Sequence, residues 1–226
     1  MGLATRSETS KAAKNGQIKV NGQIEKKPDR KINPNKDLIE FMGKPVLYKQ
    51  FVYIMLNKPQ GIVSSTDEKD GKTVISLLPE NLQRMGLFPC GRLDKDTLGF
   101  VLLTNDGNTA HYLLSPKRHV SKTYYLKTQF PVSSNDIDLL KKGIKLDKGD
   151  IARPAKAEII SDNELFITVV EGMYHQIKRM LEALNNKVIY LERIEFANIP
   201  LDKNLARGEW RFLSQDEVDT LLKLSK

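Results

Sequence analysis

Cysteine and histidine are scarce in this sequence of 226 residues, which contains a single cysteine, Cys90, and three histidines. One thiol excludes an internal disulfide framework and any site built from several thiolates. The histidines, His111, His119 and His175, are scattered without the spacing of metal ligands. We therefore expect no metal site and no redox cofactor.

Long apolar runs are also missing. No run approaches the roughly 18 residues of a membrane span, and the N-terminal residues lack the apolar segment of a signal peptide. The composition, 40% apolar and 28% charged, is typical of a soluble globular protein. We therefore expect a cytoplasmic protein with no membrane partner, long enough for a small module joined to a larger domain.

Positive charge is present in excess, with a formal net charge of +8, and it is unevenly distributed. Residues 1–50 contain 11 Lys and Arg against 5 Asp and Glu, whereas the rest of the chain is nearly balanced. A basic module ahead of a neutral body favours an arm that binds a polyanion and delivers the second domain to nucleic acid. A basic surface that only aids solubility is an equally open interpretation.

The N-terminal residues predict a short helix followed by a hairpin. Ser7 is placed to cap a helix over residues 8–14, and Asn21-Gly22 is a strong hairpin-turn signal. After a further strand at residues 38–41, Gly43-Lys44-Pro45 resembles a linker. These signals predict a small module with its linker over residues 1–48.

The second predicted domain, residues 49–226, has strand-rich blocks interrupted by single helices. Without regular alternation of strands and helices, this order predicts an α+β fold on a mixed, largely antiparallel sheet. The predicted strands are residues 51–56, 100–104 (followed by a turn at 105–107), 123–128, 155–160 and 165–170. The predicted helices are residues 134–142, 175–184 and a last helix opened by the capping box Ser214-x-x-Glu217.

Three segments have residue types that packing alone explains poorly. The first is the charged loop Gly91-Arg92-Leu93-Asp94-Lys95-Asp96-Thr97-Leu98-Gly99. The second is Ser121-Lys122-Thr123-Tyr124-Tyr125. Strand alternation places Tyr124 and Tyr125 on opposite faces, so one ring is available to a ligand. The third leads from Glu171 into the periodic helix and includes Lys178 and Arg179. Each segment alone also fits a solvated loop, half-buried packing or solvent-facing charge.

Taken together, these segments resemble the bacterial ribosomal RNA pseudouridine synthases of the RsuA type. The resemblance covers nearly the whole chain, and the Arg-Leu-Asp loop joined to its strand and turn is its most specific part. The matching motifs are the 91–99 loop with Leu102-Leu103-Thr104-Asn105-Asp106-Gly107, Asn57-Lys58-Pro59-x-Gly61, Leu114-Ser115-Pro116-Lys117, Lys122-x-Tyr124, Glu171-Gly172 through Gln176-Ile177-Lys178-Arg179-Met180, and Gly208-Glu209-Trp210-Arg211.

The resemblance implies a pseudouridine synthase domain over residues 49–226 and a reaction without cofactor or metal. Asp94 matches the catalytic aspartate of the family, and Lys178 matches the basic residue that pairs with it. Tyr124 matches the tyrosine that stacks on the flipped base and assists proton transfer. Arg92 matches a position that fills the gap left by the base or contacts a phosphate. A carboxylate in a pocket that excludes water needs such a positive neighbour.

The N-terminal residues resemble an S4 RNA-binding module that lacks its first helix, because the matching residues begin after that helix. We expect further contacts with RNA from basic residues in the matching motifs. These are Arg6, Lys19, Lys58, Lys122 and Arg179.

Four residues near the motifs are expected to stay outside the chemistry. Asp96 follows the catalytic position by two residues, and with Thr97 it is expected to brace the loop. His175 is expected to be structural or to face RNA, and Cys90 to be a small packed side chain.

The implied substrate is a uridine of ribosomal RNA, and the motif wording favours 16S RNA of the small subunit. A 23S target within the same family is the first alternative. A ribosome-assembly protein that only binds RNA is the alternative from another class, although it would not need Asp94, Tyr124 and Lys178 together. The partner is free ribosomal RNA or an assembly intermediate, and we expect a monomer.

Overall fold

The computed structural model describes residues 2–224 and divides the chain into two compact units. One unit comprises the chain up to Phe51 together with Pro79–Gly86. The other comprises Val52–Leu78 and the chain from Leu87 onwards. None of the described helices has the length and apolar character needed to cross a membrane.

The first unit combines a short helix with a small antiparallel sheet whose strand order is β2-β1-β3-β4. The Asn21-Gly22 hairpin predicted from the sequence is confirmed, with both residues at positive φ. The elements are α1 (Arg6–Lys14), β1 (Ile18–Val20), β2 (Gln23–Ile24), β3 (Ile39–Phe41), β4 (Lys44–Pro45) and, within Pro79–Gly86, α2 (Glu80–Gln83).

Two local predictions for this unit are wrong. Thr5, not Ser7, caps α1: its hydroxyl accepts from the Glu8 amide at 3.2 Å, and the Glu8 carboxylate accepts from the Thr5 amide at 2.7 Å. Residues 43–45 are not a linker, because β4 pairs with β3 across a tight turn. Met42 and Gly43 both have positive φ there, which is typical of a two-residue hairpin.

The second unit is built on one large sheet. Its strands are β5 (Tyr53–Lys58), β6 (Phe88–Pro89), β7 (Leu98–Thr104), β8 (Lys122–Thr128), β11 (Lys156–Ser161), β12 (Glu164–Val169), β13 (Val188–Phe196), β14 (Ile199–Pro200) and β15 (Trp210–Phe212), with β9 (Ile144–Lys145) and β10 (Ile151–Ala152) forming a separate pair. Its α-helices are α3 (Gly107–Leu114), α4 (Ser134–Lys142), α5 (Gln176–Glu182) and α6 (Gln215–Leu224). Short 3-10 turns occur at Glu68–Asp70, Pro116–Arg118 and Asp147–Gly149.

The main path through the large sheet has the order β11-β12-β8-β13-β7-β5-β15. Its pairs are antiparallel except β13 with β7, which is parallel. The predicted α+β class with a mixed, largely antiparallel sheet is therefore confirmed. The parallel pair brings the start of β7, and with it the end of the charged loop, against the middle of β13.

The core of this unit packs one sheet face against α3 and α6. Phe100 and Phe196 meet edge to face within it, with ring centroids 6.1 Å apart. Cys90 is fully buried in the same cluster, as predicted, and burial raises the pKa of its thiol to about 12. At that pKa the thiol is protonated near neutral pH and acts as a small packed group.

Several elements of this unit were not predicted from the sequence, among them α3 and β13. The residues after β7 do not form a simple turn but lead into α3. The Asp106 carboxylate caps this helix by accepting from the Thr109 amide at 3.1 Å. Strand β13 was overlooked because charged residues interrupt its apolar pattern, yet one of them, Arg193, is buried. Helix α5 is also shorter than the predicted residues 175–184.

Candidate active site

The loop of residues 91–97, between β6 and β7, is held in place by hydrogen bonds to the segment that follows β5. The Leu93 side chain is buried, and its backbone forms two hydrogen bonds with the Ser64 hydroxyl: the Leu93 amide donates to it and the Leu93 carbonyl accepts from it, both at 3.1 Å. The Thr97 amide also donates to the Asp94 carbonyl at 3.1 Å. Asp94 therefore lies on a loop whose backbone is fixed on both sides.

Lys58, which the motif analysis predicts to contact RNA, is part of this support. Its side chain is fully buried, and its ammonium group donates to the carbonyls of Thr97 at 2.7 Å, Pro59 at 3.1 Å and Lys95 at 3.2 Å. Burial lowers the pKa of Lys58 to about 8, against the opposing attraction of Asp96 and Asp94. The Asn57-Lys58-Pro59 motif thus fixes the loop that presents Asp94.

Gly99 ends the loop at a place where no side chain fits. Its φ is +96°, and a Cβ atom built there would lie 2.3 Å from the carbonyl oxygen of Arg193. The close approach follows from the parallel pairing of β7 with β13, in which Gly99 is opposite Arg193. Glycine is therefore needed for the strand to leave the loop in this direction.

Strand β8 presents Tyr124 and Lys122 on one face and Tyr125 on the other, as its alternating burial shows. Tyr124 and Lys122 are both buried and both line the cavity described below. Tyr125 packs against Phe166 and Tyr190 on the opposite face. The prediction that the two tyrosines point to opposite faces is confirmed.

Helix α5 carries Lys178 to the loop. Ile177, Met180 and Leu181 bury the apolar face of the helix, and Lys178 projects from beside it. Its ammonium group lies 3.3 Å from Asp94 Oδ2 and donates to both carboxylate oxygens of Asp96 at 2.7 and 2.8 Å. The predicted neighbour of Asp94 is therefore present, but Asp96 shares it.

The charges of Lys178 and its carboxylate neighbours shift the pKa values of Lys178 and Asp96. Burial lowers the pKa of Lys178, but the hydrogen bond to Asp96 and the charges of Asp94 and Asp96 outweigh it and hold the pKa above its ordinary value. Burial likewise raises the pKa of Asp96, but the bond to Lys178 outweighs it and holds the pKa below the usual range. Lys178 is thus charged throughout the physiological pH range.

His175, expected to be structural or to face RNA, lies beside the same carboxylate. Its Nε2 is 3.5 Å from Asp94 Oδ1, so a protonated imidazole would form an ion pair there. The residue has φ +48° at the start of α5, a left-handed conformation that turns the backbone into the helix. The sequence signal for this contact was the position of His175 three residues before Lys178.

The segments meet at a cavity of about 650 Å³ within the second unit. This volume lies within the usual range for pockets that bind small molecules or nucleotides. Asp94, Tyr124 and Lys178, the three predicted catalytic residues, all line it. Other residues that line it include Arg92, Lys95, Lys122, Glu171, Tyr174, His175, Leu191 and Arg193.

Three of the other residues predicted to contact RNA lie in the second unit, in different surroundings. Arg92 is exposed and lines the cavity. Arg179 forms ion pairs with Asp147 at 2.5 Å and Asp150 at 2.6 Å. Lys122 is buried, lines the cavity and donates to the Val120 carbonyl at 2.9 Å.

Arg6 and Lys19 lie in the first unit. Arg6 is exposed on α1. Lys19 is partly exposed on β1, 3.7 Å from Glu40. Both keep their charge accessible to solvent.

Sequence reasoning missed Arg193. It is directly opposite Tyr124 in the antiparallel pair β13 with β8, so both side chains are on the cavity face. Its Nε donates to the Phe100 carbonyl at 2.7 Å, and its Nη2 has no hydrogen-bond partner within residues 2–224. A buried arginine in a strand gives no periodic signal in the sequence, which explains why it was overlooked.

Comparison with known proteins gives a consistent result. Residues 52–183 match the family model described as RNA pseudouridylate synthase. The chain is 41% identical to the uncharacterized RNA pseudouridine synthase YtzG of Bacillus subtilis, over 97% of the chain and 94% of that protein. It is 40% identical to the ribosomal small subunit pseudouridine synthase A of Haemophilus influenzae, with the same coverage, and 36% identical to the Escherichia coli K12 protein of that name.

A solved structure described as a pseudouridylate synthase is similar in sequence and in fold. It is 40% identical and aligns with a TM-score of 0.73 over 96% of this chain and 94% of its own. Within residues 2–224, no three His, Cys, Asp or Glu side chains are grouped so that they could hold a metal ion.

Proposed function

Because the chain belongs to the RNA pseudouridylate synthase family, we propose that it isomerises a uridine of 16S ribosomal RNA to pseudouridine, with Asp94 as its catalytic carboxylate. The resemblance drawn from the motifs is confirmed at the level of this family. The choice of the small subunit is supported by the names of the relatives from Haemophilus influenzae and Escherichia coli, which match nearly end to end. A 23S target is the alternative within the family.

The observation that carries the proposal is the meeting of Asp94, Tyr124 and Lys178 around one cavity. Isomerisation breaks the bond between C1′ of the ribose and N1 of uracil, turns the base, and joins C1′ to C5. C5 then releases its proton and N1 gains one, so the product is an isomer of the substrate. The target nucleotide must leave its stack to reach a cavity of this kind. Asp94 supplies the carboxylate at the reacting nucleotide, Lys178 offsets its charge, and the Tyr124 ring packs against the base.

The first unit is proposed to dock the enzyme on RNA. It contains most of the basic N-terminal segment, in which Lys and Arg outnumber Asp and Glu by 11 to 5. Arg6 and Lys19 are accessible there, and such residues gain affinity by neutralising phosphates. Action on ribosomal RNA would agree with the cytoplasmic location expected from the sequence.

The test is to map pseudouridines in ribosomal RNA from cells with and without this gene, using reverse-transcription stops that depend on carbodiimide. We expect one 16S stop to disappear on deletion and to return with the wild-type gene. Asp94→Asn should not restore it, whereas Asp138→Asn, an exposed carboxylate on α4, should restore it fully. Loss of a 23S stop instead would favour the alternative target. Loss of no stop in either RNA, or restoration by Asp94→Asn, would overturn the proposal.

A further inference from the structure

An exposed aromatic ring lies at the rim of the candidate active site. Tyr174, in the segment that leads into α5, is 77% exposed although it lines the same cavity as Asp94. One face of its ring stacks on the His175 imidazole, with centroids 3.8 Å apart and planes 16° apart. With so much of the side chain exposed, the second face is open to solvent.

The segment that carries the ring is tied together by hydrogen bonds of one side chain. The buried Gln176 side chain ties the segment together, because its Nε2 donates to the Glu171 carboxylate at 2.8 Å and its Oε1 accepts from the Met173 amide at 3.1 Å. His175, between Tyr174 and the helix, has a left-handed backbone conformation. A tyrosine that is already fixed loses little side-chain entropy when a second ring stacks on it.

The position of the ring relates it to the reacting nucleotide. The imidazole that supports Tyr174 has its Nε2 3.5 Å from Asp94 Oδ1, so only one side chain separates the open tyrosine face from the catalytic carboxylate. Arg92 is exposed at the same cavity and forms no ion pair with the described residues. An open aromatic face and an accessible guanidinium on one cavity suit a nucleobase and its phosphate.

Resting on the proposed function, we propose that the open face of Tyr174 stacks on the nucleobase adjacent to the target uridine. When the uridine enters the cavity, its neighbour loses one stacking partner, and Tyr174 replaces it. Since every base has a π face, this contact adds affinity without reading the base identity. Tyr174 is thus a positioning residue that holds the strand while Asp94 acts.

The test measures binding separately from turnover by placing all variants in an Asp94→Asn background. The probes are single-stranded RNA heptamers with one central uridine and 2-aminopurine on its 5′ or its 3′ side, because 2-aminopurine changes its fluorescence when it stacks. We expect Tyr174→Ala to weaken binding of both heptamers about 5- to 100-fold, the range of a lost base–aromatic stack, because each has a base on the stacking side. The same variant should abolish the fluorescence change of the one heptamer whose 2-aminopurine is on that side, and Tyr174→Phe should preserve both the affinity and the fluorescence change.

Heptamers with an abasic site in place of the 2-aminopurine complete a double-mutant cycle. With the abasic site on the stacking side, Tyr174→Ala should cost nothing further, which a general loss of structure would not produce. Phe130→Ala removes another exposed aromatic ring of the same unit, away from the cavity, and should leave binding unchanged. If Tyr174→Ala weakens binding of the heptamer with the abasic site on the stacking side as much as binding of the others, or weakens binding of none, the stacking role is overturned. Failure of pseudouridine formation by the wild-type enzyme would instead count against the proposed function.

Discussion

Lys178 is bound more closely to Asp96 than to Asp94, at 2.7 Å to the nearest oxygen of Asp96 and 3.3 Å to that of Asp94. One ammonium group therefore serves two carboxylates on the same loop. Asp94, with the longer contact, also has His175 at 3.5 Å and lies on the cavity. This arrangement holds the lysine in place through Asp96 and leaves Asp94 oxygen atoms available to a nucleotide.

Removal of the shared cation is expected to slow the reaction strongly. In Lys178→Met the two carboxylates would face each other without an ammonium group between them, so Asp94 would lose the cation that lies 3.3 Å from it. We expect the single-turnover rate constant to fall about 100-fold or more, the scale of a lost charged group in an active site. Lys141→Met, an exposed lysine on α4, is the matched control and should keep the wild-type rate. An unchanged rate in Lys178→Met would assign the role to another cation, such as Arg92 or His175.

Neutralising Asp96 should be mild by itself and should partly rescue the lysine variant. In Asp96→Asn, Lys178 keeps Asp94 as its carboxylate partner, so we expect a rate within about tenfold of wild type. In the double variant Asp96→Asn with Lys178→Met, the repulsion between the two carboxylates is gone. We expect this double variant to be about tenfold faster than Lys178→Met in single-turnover assays. If the two losses simply multiply, Asp96 contributes to the chemistry directly and not through Lys178.

The sequence predicted the site well where residues occur in one continuous motif. The 91–99 loop and the segment with Lys178 were each recognisable as a motif, and the structure brings Lys178 into contact with Asp94. The apolar period of α5 was readable from Ile177, Met180 and Leu181. The contacts of Lys58 could not be predicted, because a motif does not reveal whether a lysine points outward or towards three carbonyls. Arg193 and His175 were missed as site residues because their roles depend on the pairing of β13 with β8 and on a left-handed backbone conformation.

Variants of Tyr124 on β8 can distinguish a stacking role of the ring from a proton-transfer role of the hydroxyl. Tyr124→Phe retains the ring that lines the cavity but removes the hydroxyl, so we expect RNA affinity near that of the wild type. Loss of a proton-transfer group should lower kcat about 100-fold. Tyr124→Leu should lower affinity as well, because the aromatic face is lost. Steady-state kinetics with a 16S fragment, combined with binding in the Asp94→Asn background, distinguish the two effects. Full activity of Tyr124→Phe would show that only the ring is needed.

The lowered pKa of the buried Lys122 should be visible in how the free energy of unfolding depends on pH. Burial, reinforced by the nearby Arg193, lowers the pKa of Lys122 from 10.5 to about 8. Between these two values the unfolded chain binds a proton that the folded chain has released, so Lys122 makes the free energy of unfolding rise with pH. Below about pH 8 both states are protonated and this contribution is constant.

Comparison of wild type with Lys122→Met isolates this effect, because Lys58, whose pKa is also about 8, is present in both proteins. We expect the stability of wild type relative to Lys122→Met to increase by about 1 kcal/mol per pH unit from about pH 8 to pH 10 in urea unfolding. Lys141→Met should instead follow wild type across this range, since its side chain is exposed. Parallel curves for wild type and Lys122→Met would mean that Lys122 has the same pKa folded and unfolded, and would contradict its burial as a charged group beside Arg193.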